Sequence, residues 1–206
     1  MPSITRRRTP SPGRRAPAEA EILAATGRLL IDGANFTELG VQQISIEAGV
    51  ARSTFYSHFR DKTDLLMRLA GTLVDASFNI ASAWEPSDGV EGLADAFQQV
   101  VGVYREHAAV LGAIAEVATY DATVRRFWSE RTIRFRDRTI EVLRQEQAAG
   151  RSPARLDLGN ASRVIVVGGE RAILDHITVA DPSEDAGFAR ELALIWRHGA
   201  YRRPAD

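Results

Sequence analysis

The sequence contains no cysteine, which excludes disulfide bonds, thiolate metal sites and a cysteine nucleophile. It also has no long apolar run. The longest strongly apolar stretch, residues 164–167, is far shorter than the ~20 residues that a membrane-spanning helix needs. Arginines near the N-terminus are not followed by the apolar segment of a secretion signal. We therefore expect no membrane partner and a cytoplasmic location, to which a cysteine-free chain is suited.

Catalytic motifs are missing as well: there is no HExxH, no phosphate-binding P-loop and no GxSxG. The four histidines, His58, His107, His176 and His198, are scattered along the chain. His176 beside Asp175 is at most half of a metal site, and such lone pairs usually face solvent. The sequence therefore predicts a protein that is not an enzyme and has no catalytic residues, no metal and no cofactor.

Positive charge is concentrated at one end of the chain. The net charge is −1, which taken alone argues against a nucleic-acid partner. Residues 1–62, however, hold nine basic and six acidic side chains, so the remainder is acidic. Such asymmetry is typical of a nucleic-acid-binding front end, although a solvated arm before an ordinary domain would also produce it. Residues 1–16 are rich in Arg, Pro, Ser and Thr and are predicted to be a disordered basic arm.

Helical periodicity dominates the rest of the sequence, and no convincing strand alternation interrupts it. The predicted fold is all-α, with an N-terminal helix-turn-helix domain over 17–62 and a second helical domain, the body, over 63–206. Glycine and proline mark several of the breaks between helices. The predicted helices cover about 18–32, 41–48, 52–59, 62–84, 90–106, 108–119, 122–149, 158–178 and 184–201.

The segment from Val41 to Lys62 carries the clearest pattern. Two short helices meet at Gly49, whose backbone freedom suits a tight turn. Phe55 and Phe59 lie four residues apart and should both face inward. The outward face of the second helix then carries Arg52, Ser53, Tyr56 and Ser57, with Thr54 and His58 at its margins.

That outward face suits a helix that enters the DNA major groove. Arg52 can pair with guanine, and Ser53 and Thr54 are short enough to reach base edges. Lys62, the only lysine, stands where a cation opposes the helix dipole, so a bound phosphate would explain it better than helix stability does. The residues expected at phosphates are Tyr56, His58 and Lys62. A helical hairpin that merely meets water is the alternative, which the turn glycine and the basic arm argue against.

These residues resemble the DNA-binding domain of the TetR family of bacterial repressors. The family signature is carried by Ile44, Ala48-Gly49-Val50, Ser53-Thr54-Phe55-Tyr56, His58-Phe59, Asp61-Lys62 and Leu65-Leu66. The positions that the resemblance implies as operator contacts are Val41, Gln42, Arg52, Ser53, Thr54, Tyr56, Ser57, His58 and Lys62. Three positions depart from the family pattern. Gly40 and Ala51 replace the usual Ser or Thr caps, and Ser45 replaces a small Ala, so the two short helices should be only modestly stable.

The body carries many bulky apolar side chains at helical spacing, which is typical either of plain core packing or of an apolar cavity. Its pattern, including Trp128, Glu170-Arg171 and Ile195-Trp196, is similar to the mycobacterial ethionamide-resistance repressor branch. That resemblance implies an elongated, largely apolar ligand. Possible polar anchors are Tyr104, Thr132 and Glu116. The candidate ligand-binding residues are Phe97, Val100, Tyr104, Ile114, Trp128, Thr132, Phe135, Thr139, Val166, Gly169 and Trp196.

The glycine pair Gly168-Gly169 lies in the middle of a predicted helix, where each glycine costs about 1 kcal/mol relative to alanine. Close approach of another helix or of a ligand would compensate for that cost. The resemblance further implies that the last two long helices pair with their symmetry mates in a homodimer. The candidate interface residues are Ala161, Ile165, Ala172, Leu192, Ile195 and Gly199.

The leading hypothesis is a ligand-responsive repressor that binds palindromic operator DNA as a dimer and is released by a small apolar effector. A DNA-binding regulator whose body is a protein-interaction scaffold without an inducer is the alternative. A clear pocket would favour the sensor, and a solid core with an exposed apolar patch would favour the scaffold.

Overall fold

The computed structural model describes residues 17–201, so the predicted arm over residues 1–16 lies outside the described part. The chain divides into two compact units, and the boundary falls after Lys62. Within the described residues the secondary structure is entirely helical, with nine α-helices. None of these helices combines the length and the apolar character that crossing a bilayer requires. The all-α prediction is confirmed.

The first unit contains α1 (Ala18–Ile31), α2 (Val41–Glu47) and α3 (Arg52–His58). Its core is formed by buried apolar side chains from all three helices and from the loop between α1 and α2. The most buried are Ile22, Ala25, Ile44, Phe55 and Phe59. Gly49 joins α2 to α3 with a φ of 64°, a backbone conformation that glycine adopts without steric cost. The predicted hinge residue therefore provides the turn.

Neither short helix of this unit has a side-chain cap from its N-cap residue, Gly40 or Ala51. The sequence had missed one compensation at Gly40. The Gln43 side chain reaches back, and its Oε1 accepts the Gly40 N–H at 2.9 Å, which satisfies one of the backbone donors that a helix start leaves unpaired. The methyl side chain of Ala51 has no hydrogen-bonding group, so it cannot cap the start of α3.

From Lys62 onward the helices are α4 (Lys62–Ala83), α5 (Gly89–Glu106), α6 (Ala108–Tyr120), α7 (Ala122–Ala148), α8 (Leu158–Val179) and α9 (Asp185–Trp196). Short 3₁₀ turns at Pro86–Asp88 and Pro182–Glu184 precede α5 and α9. In the second unit α5 packs along α9, and α7 packs against α6 and α8.

The end of the chain differs from its prediction. A single helix was expected over 184–201, but α9 ends at Trp196 and a π-helical turn follows over Arg197–Tyr201. Because a π turn is wider than an α turn, it brings residues five apart onto one side. The rings of Trp196 and Tyr201 accordingly lie 6.3 Å apart, and both line the same cavity.

Candidate DNA-reading surface and effector cavity

Helix α3 presents the polar face that its spacing predicts. Phe55 and Phe59 are almost completely buried, and their ring centroids lie 5.4 Å apart. The surrounding core therefore holds the helix by its apolar side. The predicted contact residues Gln42, Arg52, Ser53, Tyr56 and Ser57 are exposed, and Val41, Thr54, His58 and Lys62 are half-buried.

Two neighbouring groups on this face are arranged together. The Arg52 guanidinium lies 5.6 Å from the centre of the Tyr56 ring, and its Nη2 donates to the Tyr56 hydroxyl at 3.4 Å. The Ser57 hydroxyl, in contrast, donates to the Thr54 carbonyl at 2.7 Å, so its proton is turned toward its own helix. Arg52 and Tyr56 are both exposed and form one polar group on this face.

Lys62 has a different environment from the one predicted for a phosphate contact. Its ammonium donates to the backbone carbonyls of Phe36, Thr37 and Leu39 at 3.1, 2.5 and 3.3 Å. An ammonium has three N–H donors, so these three acceptors match its capacity. The cation also lies 5.4 Å from the centre of the Phe36 ring. This geometry ties the loop between α1 and α2 to Lys62 at the start of α4, and the three carbonyls use the donors of its ammonium.

We expect Lys62→Met to destabilise the first unit by about 2 kcal/mol, because hydrogen bonds from a charged donor would be lost at three carbonyls. The salt dependence of duplex binding should keep its slope, which falls by about 0.9 for each phosphate contact removed. Urea unfolding and DNA titrations at several salt concentrations measure the two quantities. Arg28→Met, which breaks only the exposed ion pair with Glu47, is the matched control and should change stability little. A shallower salt slope with unchanged stability would restore the phosphate role.

A largely apolar cavity lies inside the second unit. It comprises about 840 Å³ of space between atoms, its opening to solvent included, and is lined from α4, α5, α7, α8, α9 and the π turn. Aromatic side chains shape it: Phe78 meets Phe135 edge to face at 5.3 Å, and Phe97 meets Trp196 in the same way at 4.9 Å. Apolar walls with a few polar groups are typical of small-molecule sites.

Nine of the eleven candidate ligand-binding residues line this cavity: Phe97, Val100, Tyr104, Thr132, Phe135, Thr139, Val166, Gly169 and Trp196. Ile114 and Trp128 do not. Ile114 is buried in the interior from α6, which contributes no lining residue, and Trp128 packs its ring under the Arg131 guanidinium at 3.8 Å. Glu116, the third possible anchor, also lies on α6 and outside the lining.

The cavity has polar lining residues that sequence reasoning missed, namely Arg131, Arg138 and Glu170. Arg131 forms a buried ion pair with Glu170, and its Nη1 donates to the Tyr104 hydroxyl at 2.5 Å. The available signal was spacing, since Arg131 lies between Trp128 and Phe135 on the apolar stripe of α7. A charged side chain on such a stripe is rarely buried without a partner.

The glycine pair on α8 divides into one packed and one open position. A Cβ built on Gly169 would lie 2.9 Å from Cζ2 of Trp196, whereas one on Gly168 would meet nothing within 4 Å. Gly169 therefore lets α9 bring its tryptophan against the backbone of α8, as the sequence predicts. Gly168 is exposed and has no such packing reason within the chain.

The candidate dimer residues occupy different depths in the second unit. Ile195 is 62% exposed and Gly199 is also exposed, while Ala161, Ile165 and Ala172 are half-buried. Leu192 is only 7% exposed, so it packs mainly inside its own chain and offers little area to a partner. Val164 and Val167, which the sequence analysis did not select, are exposed apolar residues on α8.

His176 is not the exposed half-site that its pairing with Asp175 suggested. It is buried, its Nε2 lies 2.8 Å from Asp185, and its ring stacks on Phe188 at 4.0 Å. Arg105 donates to both oxygens of Asp185 and, together with His176, holds the pKa of that carboxyl below its ordinary value. This network joins α5, α8 and α9. Over residues 17–201 no cluster of side chains is suited to hold a metal ion.

A unit with a helix-turn-helix and a helical body with an internal cavity define a DNA-binding transcriptional regulator. Comparison with known proteins agrees. Residues 22–69 match the family of bacterial regulatory proteins of the tetR type, and residues 93–201 match the C-terminal domain of the transcriptional regulator EthR. The chain belongs to the TetR family, in its EthR branch. Members of this family are regulators, which confirms the prediction that the chain is not an enzyme.

Individual proteins are similar to this chain in sequence or in fold. The HTH-type transcriptional regulator EthR of Mycolicibacterium smegmatis is 26% identical over 215 residues, covering 98% of this chain and 96% of the relative. Salmonella enterica GusR has the same fold, with a TM-score of 0.71 at 16% identity over 90% of this chain and 96% of its own. A Saccharomonospora viridis regulator solved with choline has a TM-score of 0.70 at 17% identity, over 89% and 97%.

Proposed function

We propose that this chain is a ligand-responsive repressor of the bacterial cytoplasm, which binds a palindromic operator as a homodimer and is released by a small, largely apolar effector. The observation that carries the proposal is the cavity of the second unit, because an apolar space with aromatic walls and few polar groups suits a small apolar molecule. A solid body would have favoured the alternative scaffold without an inducer.

The exposed face of α3 supports operator recognition, because some of its residues suit contacts to bases and others suit contacts to phosphates. Arg52, Ser53 and Thr54 stand at the start of the helix, the part that approaches base edges when a recognition helix enters the major groove. Tyr56 and His58 lie toward its end and suit phosphate contacts. Gln42 of α2 is also exposed and can contact a base or a phosphate. Lys62 belongs to the framework of the unit in this proposal.

A homodimer is supported by apolar side chains that remain uncovered on α8 and α9. Val164 is 70% and Val167 46% exposed. With Gly168 and Arg171 they follow helical i, i+3 and i+4 spacing along one face of α8. Ile195 adds an exposed apolar group on α9. Exposed apolar patches usually mark interaction sites, and a two-fold dimer would place two recognition helices on symmetric half-sites.

Effector and operator then act on one equilibrium. If the two ligands favour different arrangements of the dimer, each weakens the binding of the other by the same factor. The effector must therefore bind the DNA-free arrangement more tightly, since equal affinity for both arrangements would shift nothing.

The test has two steps. First, duplexes selected from a randomised pool by the full-length protein should contain an inverted repeat. Second, a thermal-shift screen of apolar metabolites should find compounds that stabilise the protein, by about 2.7 kcal/mol at 100 times their Kd, and that weaken binding to the selected duplex. Val100→Trp, which places a much larger side chain in the cavity wall, should bind the duplex but should not respond to those compounds. Operator binding that no stabilising compound alters would favour the scaffold.

A further inference from the structure

Three polar side chains form one part of the cavity, termed the polar end, whereas most of the remaining lining residues are apolar. Arg131 of α7, Glu170 of α8 and Tyr104 of α5 meet there, and all three line the cavity. The Arg131 side chain is 3% exposed and that of Glu170 is 15% exposed. Burying such groups is costly unless they are paired. The hydrogen-bonding groups that remain unpaired therefore decide which ligand groups this end can bind.

One buried nitrogen of the Arg131 guanidinium has no hydrogen-bond acceptor among the described residues. Its Nη1 donates to the Tyr104 hydroxyl and its Nη2 to Oε1 of Glu170. Its Nε, which is also buried, has no acceptor among the described residues. Because the Tyr104 oxygen accepts from Arg131, the hydroxyl proton is directed elsewhere. The polar end therefore offers donors, one from Nε of Arg131 and one from the hydroxyl of Tyr104.

The guanidinium is held in place by the rings beside it. Its central carbon lies 3.8 Å from the centre of the Trp128 ring and 5.8 Å from that of Phe135. Stacking on aromatic faces fixes the plane of a guanidinium. The Arg131 donors are thus preorganised, and a ligand that accepts from them does not have to order the side chain first.

The charge of this end is already balanced, since Arg131 and Glu170 neutralise each other. A carboxylate ligand would bring a second negative charge beside the buried Glu170, and an ammonium ligand would bring a second positive charge beside Arg131. A neutral acceptor satisfies the donors without either cost. We propose that the polar end binds a neutral carbonyl oxygen of an otherwise apolar ligand. This inference rests on the proposed effector site and specifies the ligand class for it.

Four probes with the same eight-carbon skeleton separate the possibilities: 2-octanone, octane, octanoate and octylamine. Quenching of tryptophan fluorescence in the full-length protein reports binding, because Trp84 and Trp196 line the cavity. In the native protein 2-octanone should bind more tightly than octanoate and octylamine. Tyr104→Phe should lower the affinity for 2-octanone about tenfold, which corresponds to one hydrogen bond to a buried group. The affinity for octane should not change.

Tyr201→Phe is the matched control. It removes the same hydroxyl from another tyrosine of the cavity wall, whose partner is Thr139 rather than Arg131, and 2-octanone should keep its affinity. The double variant R131M/E170M removes the charges as a pair and should lose the 2-octanone affinity while still binding octane.

Three results overturn the inference. The first is that octanoate binds more tightly than 2-octanone. The second is that Tyr104→Phe lowers the affinities for octane and 2-octanone equally. The third is that compounds without a carbonyl bind while 2-octanone does not. In each of these cases apolar ligands still occupy the cavity and the proposed function stands. If no compound of the wider screen binds and none releases DNA, the proposed function itself fails, and the ligand class with it.

Discussion

Arg131→Met should lower the free energy of unfolding by about 3–5 kcal/mol, the usual cost of removing one partner from a buried ion pair. Glu170 would remain in the cavity wall without its counter-charge, and the Tyr104 hydroxyl would lose its donor. Methionine has nearly the length of the arginine stem, so the effect should come from charge rather than from an empty space. Urea unfolding at a fixed protein concentration measures the loss.

The double variant R131M/E170M should recover most of that stability, because no unpaired charge is left and the apolar walls can pack against both methionines. Arg134→Met is a suitable control. It lies one turn further along α7, but its ion pair with Asp75 is exposed, and its loss should cost well under 1 kcal/mol. A single variant as stable as the native protein, or a double variant no better than the single one, would contradict a buried, mutually dependent pair.

Phe55→Ala should abolish most DNA binding by unfolding the reading unit. Phe55 is fully buried and packs against Phe59 and, edge to face at 5.3 Å, against Tyr56. Truncating a buried phenylalanine costs about 3–5 kcal/mol, which is comparable to everything that a core of this small size supplies. The apparent DNA affinity then falls by the fraction that stays folded, and we expect a loss of at least tenfold.

Hydrogen exchange over residues 17–59 together with titration of the selected duplex measures this effect. Ile46→Ala provides the control, because it also shortens an apolar side chain of the same unit, but one that is 71% exposed. Protection and affinity should stay close to native there, as for most surface substitutions. Full protection in Phe55→Ala would mean that the aromatic pair does not hold the recognition helix.

Much of the fold follows from local signals. The predicted helix bounds agree with the structure to within one or two residues up to α8, because glycine, proline and polar caps act on their own neighbourhood. Asp157 illustrates this, since its side chain accepts the Asn160 N–H at 3.0 Å and caps α8, which begins at the predicted residue 158. The π turn after Trp196 has no such local signal, and it ends at Tyr201, which lines the cavity.

The candidate sites divide in the same way. The helical period of α3 alone determines which side chains face inward and which face outward. Phe55 and Phe59 are therefore buried, and Arg52 and Tyr56 are exposed. The stripe of α7 likewise brings Phe135 and Thr139 to the cavity. Ile114 and Trp128 were misplaced because a stripe indicates which face is apolar. It does not indicate whether that face meets a cavity or another side chain.

The DNA-reading segment and the all-α class were therefore determined by the sequence itself, through spacings of three and four residues that the backbone converts into faces. Tertiary structure alone decided which distant groups meet. Lys62 reaches carbonyls 23 to 26 residues away, and Arg131 lies between Tyr104 and Glu170, which are 27 and 39 residues from it. Such pairings depend on how separate helices are rotated and packed against one another, and no short-range pattern encodes that rotation.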